Sequence, residues 1–316
     1  MHLAGETSWR GIGAGVLAGA LWGFVFLTPA LTPGFTPLQL SAGRYLAYGM
    51  FAAILIAPSW RRLRARLRWR EWRALVWLSF AGNIFYYICL AQAVQGGGIA
   101  MAALVIGFLP VAVSLVGSSD QGAVPLRRLL PSLLLSLAGL ACIGWQTLAA
   151  GAHGSVLGLL CAFGALASWT IYAVGNSRSL ARLDGVSSHE WSLLTGVVTG
   201  AAALLLAPSA FVISAGSHSA GQWLLYFAVV SGVALFCSVI GNGLWNVASR
   251  ALPLSLTGQM IVFETIFATL YGFIWERRGP TLLEGAALTL LIAGVASCAA
   301  VHRIDTALPP ESAHLV

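Results

Sequence analysis

Two stretches 155 residues apart, PLRRLLPSLLLSLAGLA from Pro125 and PTLLEGAALTLLIAGVA from Pro280, share the leading proline, two leucines and the ending Ala-Gly-x-Ala. Each is the fifth hydrophobic stretch of its half, so the chain reads as the duplication of a five-span unit. A unit with an odd number of crossings inserts its second copy upside down. The duplication therefore predicts two inverted halves, 1–150 and 151–316, in one bilayer, an arrangement found in transporters. A second alignment, offset by 147, pairs Gly11 with Gly158, Ala18 with Ala165, Ala20 with Ala167 and Trp22 with Trp169. By the third and eighth stretches the offset is 155 again, where Ala93 meets Ala248, Ile106 meets Ile261 and Phe108 meets Phe263.

A composition of 58% hydrophobic and 9% charged residues, with a mean hydropathy of +0.84, excludes an ordinary soluble domain. Helical crossings need about 20 apolar residues each, which leaves room for ten. The sequence places them near 11–31, 38–57, 73–94, 97–118, 126–147, 154–175, 188–207, 222–248, 254–274 and 282–301. The expected fold is thus an all-α integral membrane protein of ten transmembrane helices in two inverted five-helix repeats. The formal charge of +7 does not point to nucleic acid, because all 17 basic residues are arginines whose placement follows the membrane. With a cytoplasmic N-terminus, Arg10, the seven arginines from Arg61 to Arg73, Arg127, Arg128, Arg178, Arg182, Arg250 and Arg303 fall inside. Arg277 and Arg278 fall outside, and Arg44 lies within a span. The positive-inside rule then predicts both termini in the cytoplasm of a multi-pass inner-membrane protein. The five cysteines all lie within spans and read as small core residues, not as a disulfide or metal framework. The first apolar stretch is too long for a signal peptide and is expected to stay as an anchor.

Gly11, Gly15, Gly19 and Gly23 form a bare stripe on the first span, which allows close approach of a neighbouring helix. Beyond it, Pro29, Pro33 and Pro37 give a stiff outer connection. The segment PSWRRLRARLRWREWR, Pro58 to Arg73, interleaves arginines with Trp60, Leu63, Leu67, Trp69 and Trp72. Pinned between two spans, it is expected to lie along the interface with its guanidinium groups at lipid phosphates.

The ten spans, ALWG from Ala20, Arg44-Tyr45, Pro110 in the fourth span and ERRGPTLLEGAALTLLIAGV from Glu276 carry a resemblance to the drug/metabolite transporter superfamily, and within it to EamA-type exporters. YYICLA from Tyr86, Trp169 and LWNV from Leu244 are similar to the YddG type of amino-acid exporter. The resemblance implies export of amino acids, aromatic ones among them, from the bacterial cytoplasm by alternating access, with no cofactor. The family pattern has a second proline in the ninth span, where this chain reads IVFETIF with Glu264 or Thr265 at the matching place. A carboxyl group stands where the family often has none.

Charge inside a membrane costs several kcal/mol unless it faces a partner, the bundle interior or water. Arg44 and Glu264 are the two such groups, about 9 Å and about 15 Å deep at about 1.5 Å per residue. Two readings stand open: a structural ion pair joining the halves, or groups that meet the charged ends of a substrate, Glu264 also taking up a proton. For an amino-acid-sized cavity at mid-depth the candidates are Trp22, Asn83, Tyr86, Gln92, Trp169, Trp245 and Asn246, aromatic walls with a few polar contacts. Each tryptophan has an ordinary alternative as a lipid-facing or interfacial ring. Pro110, one turn after Gly107, interrupts the fourth span as a static kink or as a hinge.

Enzyme readings fit poorly. The chain has no lysine, which excludes a P-loop ATPase, and its histidines sit in loops or at span ends away from carboxylates. A channel would need a continuous polar stripe that the sequence lacks. The expected partners are a small-molecule substrate and the lipid bilayer, with no nucleic acid, the protein being a monomer or weak dimer. The alternatives are export of another small metabolite, or a polytopic membrane enzyme or scaffold.

Overall fold

The computed structural model describes residues 2–119, 124–149, 155–213 and 218–307. They are helical throughout, with no strand among them. In the first half, α1 (His2–Gly23) runs through a 3-10 turn into α2 (Thr28–Leu31), and α3 (Pro37–Ile56) through another into α4 (Trp60–Arg66). Next, α5 (Trp69–Ser79) continues by a π-helical turn at Phe80–Phe85 into α6 (Tyr86–Ile106), followed by α7 (Leu109–Gly117) and α8 (Leu126–Ala149). In the second half, α9 (Val156–Leu180) precedes α10 (Ser188–Pro208), which ends in a π turn. Then α11 (Ala220–Val233) continues by a π turn at Ala234–Gly241 into α12 (Asn242–Ala251), followed by α13 (Leu254–Met260), α14 (Val262–Glu276) and α15 (Leu282–Ala307).

Eight helices among the described residues are long and apolar enough to cross a membrane. They are Trp9–Leu31, Pro37–Arg66, Trp69–Gly96, Val156–Leu180, Ser188–Val212, Ala220–Ala251, Leu254–Trp275 and Leu282–His302. The expected spans at 97–118 and 126–147 are not among the eight. Large apolar side chains such as Leu205 and Leu282 are more than four-fifths exposed, a surface that water would penalise and lipid would not. The chain is therefore built to be bounded by hydrocarbon.

Local chemistry sets the helix starts. Thr36 caps α3 reciprocally with Gln39, and Ser187 caps α10 reciprocally with Glu190, each box satisfying backbone donors that a helix N-terminus leaves free. These two helices then cross at Gly49 and Gly200. A Cβ on either glycine would lie 2.5 Å from the Cα of the other. Contacts at Tyr45, Gly49 and Ala52 run against Gly200 and Gly196 in descending order, so the pair is antiparallel. The same pattern joins α8 to α15. A Cβ on Gly139 would come 3.0 Å from the Ala287 carbonyl oxygen, and one on Gly294 would come 3.0 Å from that of Ser132.

The glycine stripe of α1 lies on α13 and α14, Gly15 against Met260, Gly19 against Phe263 and Gly23 against Ala268. The chain turns back between Gln95 and Ser114. Gln95 donates to the Phe35 carbonyl and Gly96 accepts from the Ser155 backbone, whereas Ser114 donates to the Ser255 carbonyl near the other end of the bundle. The break in this returning segment falls at Gly107–Phe108, and Pro110 sits buried in the first turn of α7, where its missing N–H costs nothing. A matching break at Ile261, without a proline, separates α13 from α14. The basic segment after α3 docks on the second half: Arg62 pairs with Glu190 and Arg66 donates to the Gly185 carbonyl. Leu63 and Leu67 are buried beneath it, whereas Trp69 faces outward.

Candidate functional site

Trp22 of α1 and Trp169 of α9 meet edge to face with ring centroids 5.9 Å apart. Trp245 of α12 backs both at 5.3 Å, with its own indole N–H buried and without a partner. Each half also sends a side chain into the π turn of the other. Trp22 Nε1 donates to the Cys237 carbonyl at 2.9 Å, and Ser168 Oγ donates to the Ala81 carbonyl at 2.7 Å. A π turn leaves backbone carbonyls outside the regular ladder, and these two are used to lock the halves together.

In front of the tryptophans lies a cavity of about 30 Å³. Its aromatic side is Trp22, Tyr45, Tyr86, Trp169 and Tyr172; its polar side is Arg44, Asn83, Asn242 and Glu264. Two or so water molecules fill such a volume. Tyr172 reaches the cavity because Gly82 has no side chain, since a Cβ there would lie 2.2 Å from the Tyr172 ring.

Arg44, 6% exposed, is held from three sides. Its Nε donates to Ser238 Oγ at 3.1 Å, and its guanidinium carbon stands 4.7 Å from the Tyr87 ring centroid and 5.3 Å from that of Tyr45. Two aromatic faces stabilise the cation while leaving its terminal nitrogens for other use. Glu264, 7% exposed, sits in the first turn of α14 just after the Ile261 break. Its carboxylate has no hydrogen-bond donor or cation within bonding distance among the described residues. A direct Arg44–Glu264 ion pair is therefore not what occupies this site. Asn83 donates to Thr199 Oγ1 at 3.3 Å, which fixes its amide at the cavity edge.

Of the residues singled out by sequence, Trp22, Asn83, Tyr86, Trp169, Arg44 and Glu264 converge on this cavity. Trp245 supports it from behind. Asn246 lies off the wall, its Oδ1 accepting from Asn176, whose own Oδ1 accepts from the Trp191 indole at 3.0 Å. Gln92 is half-buried further along α6 and does not line the cavity. Gly107 and Pro110 are at the helix break, also away from it. Sequence reasoning missed Tyr45, Tyr172 and Asn242; Tyr172 lies one turn from Trp169 and Asn242 one turn before Asn246, spacings that put each on a shared helix face. It also gave no role to His302, which is buried at the end of α15 with Nε2 2.7 Å from Ser255 Oγ and Nδ1 2.8 Å from the Cys298 carbonyl.

Helices of this length around a buried polar centre define a polytopic membrane protein. No family model matches the chain. The inner membrane protein YtfF of Escherichia coli (strain K12) is 30% identical over 305 residues, covering 89% of this chain and 92% of its own. The chain belongs to the YtfF family and is a multi-pass inner-membrane protein. A protein of known crystal structure aligns over 95% of this chain and 99% of its own length, with a TM-score of 0.71 at 21% identity. At that identity the likeness speaks for the fold alone.

Proposed function

We propose that the chain is a secondary transporter of ten crossings, built from inverted repeats 1–150 and 151–316, that exports amino acids or closely related zwitterions. The carrying observation is that Arg44 and Glu264, one from each half, are buried on a single cavity without pairing with each other. A cation and an anion on one aromatic-walled space are complementary to a molecule carrying a carboxylate, an ammonium and an apolar side chain. Arg44 receives the carboxylate, Glu264 the ammonium, and the tryptophan group the side chain.

The repeat is supported by contacts that reciprocate under the internal alignment. Gly49 meets Gly200, its counterpart by the matched helix caps; Gly139 meets Ala287 as Gly294 meets Ser132, and Trp22 meets Trp169. Equivalent residues touching in antiparallel helices are what a two-fold axis perpendicular to those helices produces. The paired π turns and the paired breaks at Gly107–Phe108 and Ile261 follow the same alignment. Cytoplasmic termini are supported by the basic end of the bundle, where Arg62, Arg66 and Arg250 all bond to the 185–190 region. The EamA-type resemblance favours the export direction. No bond-making step is assigned, and His302 serves as a link between α13 and α15.

The test is efflux of radiolabelled amino acids from proteoliposomes, with N-acetylated and esterified derivatives as comparisons. Aromatic amino acids are expected to move, and derivatives lacking either charge to be left behind. Glu264→Gln and Arg44→Gln, each checked for insertion and melting temperature, are expected to abolish efflux. Folded protein that moves no amino acid, or that moves the derivatives lacking one charge equally well, would refute the zwitterion reading.

A further inference from the structure

At the basic end of the bundle, α5 and α9 enclose a cavity of about 530 Å³, separate from the central one. Arg70, Arg73 and Trp77 line it at spacings of three and four residues along α5, and Arg178 and Arg182 at a spacing of four along α9. These spacings put the side chains on one face of each helix, so two guanidinium stripes confront each other across the space. The neighbouring arginines are already engaged: Arg62 with Glu190, Arg66 with the Gly185 carbonyl, and Arg250 with the Val186 carbonyl. Arg70, Arg73 and Arg182 have no hydrogen bond or ion pair to their guanidinium groups among the described residues. Glu71, the one carboxylate lining it among the described residues, accepts from the Arg68 backbone in a helix cap and bonds to none of Arg70, Arg73 and Arg182.

Trp77 fixes the apolar side of the pocket. Its ring fills the notch at Gly175, where a Cβ would come 1.9 Å from Cη2, yet 39% of the residue stays exposed. Arg70, Arg73 and Arg182 at an interfacial depth, with an aromatic wall beside them, match a phosphodiester headgroup with its acyl chain alongside. We propose that this pocket binds a phosphate-bearing anion, supplied by the headgroup of an anionic phospholipid. Because α5 belongs to the first half and α9 to the second, the bound anion bridges them and screens their mutual repulsion.

The test is native mass spectrometry of the full-length protein titrated with phosphatidylglycerol and, separately, phosphatidylcholine of the same chains. An arginine near a membrane surface is worth about fivefold in binding an anionic lipid, so Arg73→Gln with Arg182→Gln is expected to weaken phosphatidylglycerol by about 25-fold. Arg61→Gln with Arg64→Gln removes the same charge from the exposed face of α4, outside the pocket, and is expected to weaken it less. Melting temperatures check folding, and the pair Arg73→Lys with Arg182→Lys, which keeps the charge but loses the bidentate forks, is expected to give an intermediate loss. Millimolar inorganic phosphate separates the sources: failure to displace the lipid supports the headgroup, whereas displacement supports a free phosphate in the same pocket. Equal binding of the two lipids, or an equal loss in the α4 pair, would overturn the proposal.

Discussion

The crossing of α3 and α10 at Gly49 and Gly200 gives the most exacting test of how the halves meet. Alanine at either position places a Cβ 2.5 Å from the opposing Cα, and the obstacle is backbone that no rotamer change can move. Carbon atoms settle at about 3.5–4.0 Å, so the helices must part by about 1 Å or more. Overpacking of this kind costs about 3 kcal/mol, of which the better helix propensity of alanine returns about 1, leaving a net loss of about 2 kcal/mol. For a chain of this size that is a melting-temperature decrease of about 4 °C. Gly13→Ala is the matched control, because a Cβ there meets nothing within 4 Å. It is expected to hold or raise the melting temperature. The contact also has a symmetry consequence: Gly49→Ala and Gly200→Ala are expected to lower stability equally, since their distances match. The double variant should cost less than the two single losses together, because the first Cβ already opens room for the second. Thermal unfolding of detergent-solubilised protein, followed by size-exclusion recovery, measures all four. A Gly49→Ala or Gly200→Ala protein as stable as Gly13→Ala would refute the close crossing.

Trp169→Ala, which removes a ring packed on Trp22, Tyr86, Tyr172 and Trp245, is expected to reduce efflux at least tenfold in correctly inserted protein, and undiminished flux would remove it from the site. Arg44→Lys keeps a cation but loses the planar group that stacks on Tyr87 and Tyr45, so substrate affinity measured by counterflow should fall while insertion persists. Gln92→Ala, off the cavity wall, should leave counterflow affinity unchanged. Reporter fusions after Ser119 are expected to read cytoplasmic and after Gly34 periplasmic, and the reverse at either site would overturn the proposed orientation.

Much of this arrangement is written in residue spacing. The α1 glycine stripe and the capping residues Thr36 and Ser187 specify close packing and helix starts by local chemistry alone, and the structure uses them so. Arg44 and Glu264 stood out because charge is rare in apolar spans, although their spacing along separate helices said nothing of whether they pair. What spacing did not supply was which polar side chains reach the cavity. Gln92 lies nine residues beyond Asn83, toward the opposite side of a helix. Asn246, one turn after Asn242, is held off the wall by its bond to Asn176. The break at Ile261 carries no proline; Gly258 lies one turn before it, and the α1 stripe packs on Met260 and Phe263 to either side.

The 30 Å³ cavity cannot admit an amino acid, so on the proposed function its enclosing layers must separate in turn. On one side Phe35 stacks on Tyr226 and His218, joining the connection after α2 to the second half. On the other, Trp77 of α5 fills the Gly175 notch of α9 and Tyr172 covers Gly82, again joining the two halves. Both seals thus cross the same seam at opposite ends, while Gly49–Gly200 and Trp22–Trp169 lie between them, where equivalent residues touch. A rotation of one half against the other moves points near its axis least and points at the ends most. Rocking about that central line parts one aromatic seal while pressing the other closed, and the breaks at Gly107–Phe108 and Ile261 let the α6–α7 and α13–α14 segments bend with it. Substitutions at the seals should accordingly change opening rates, whereas substitutions at the central glycines should change stability.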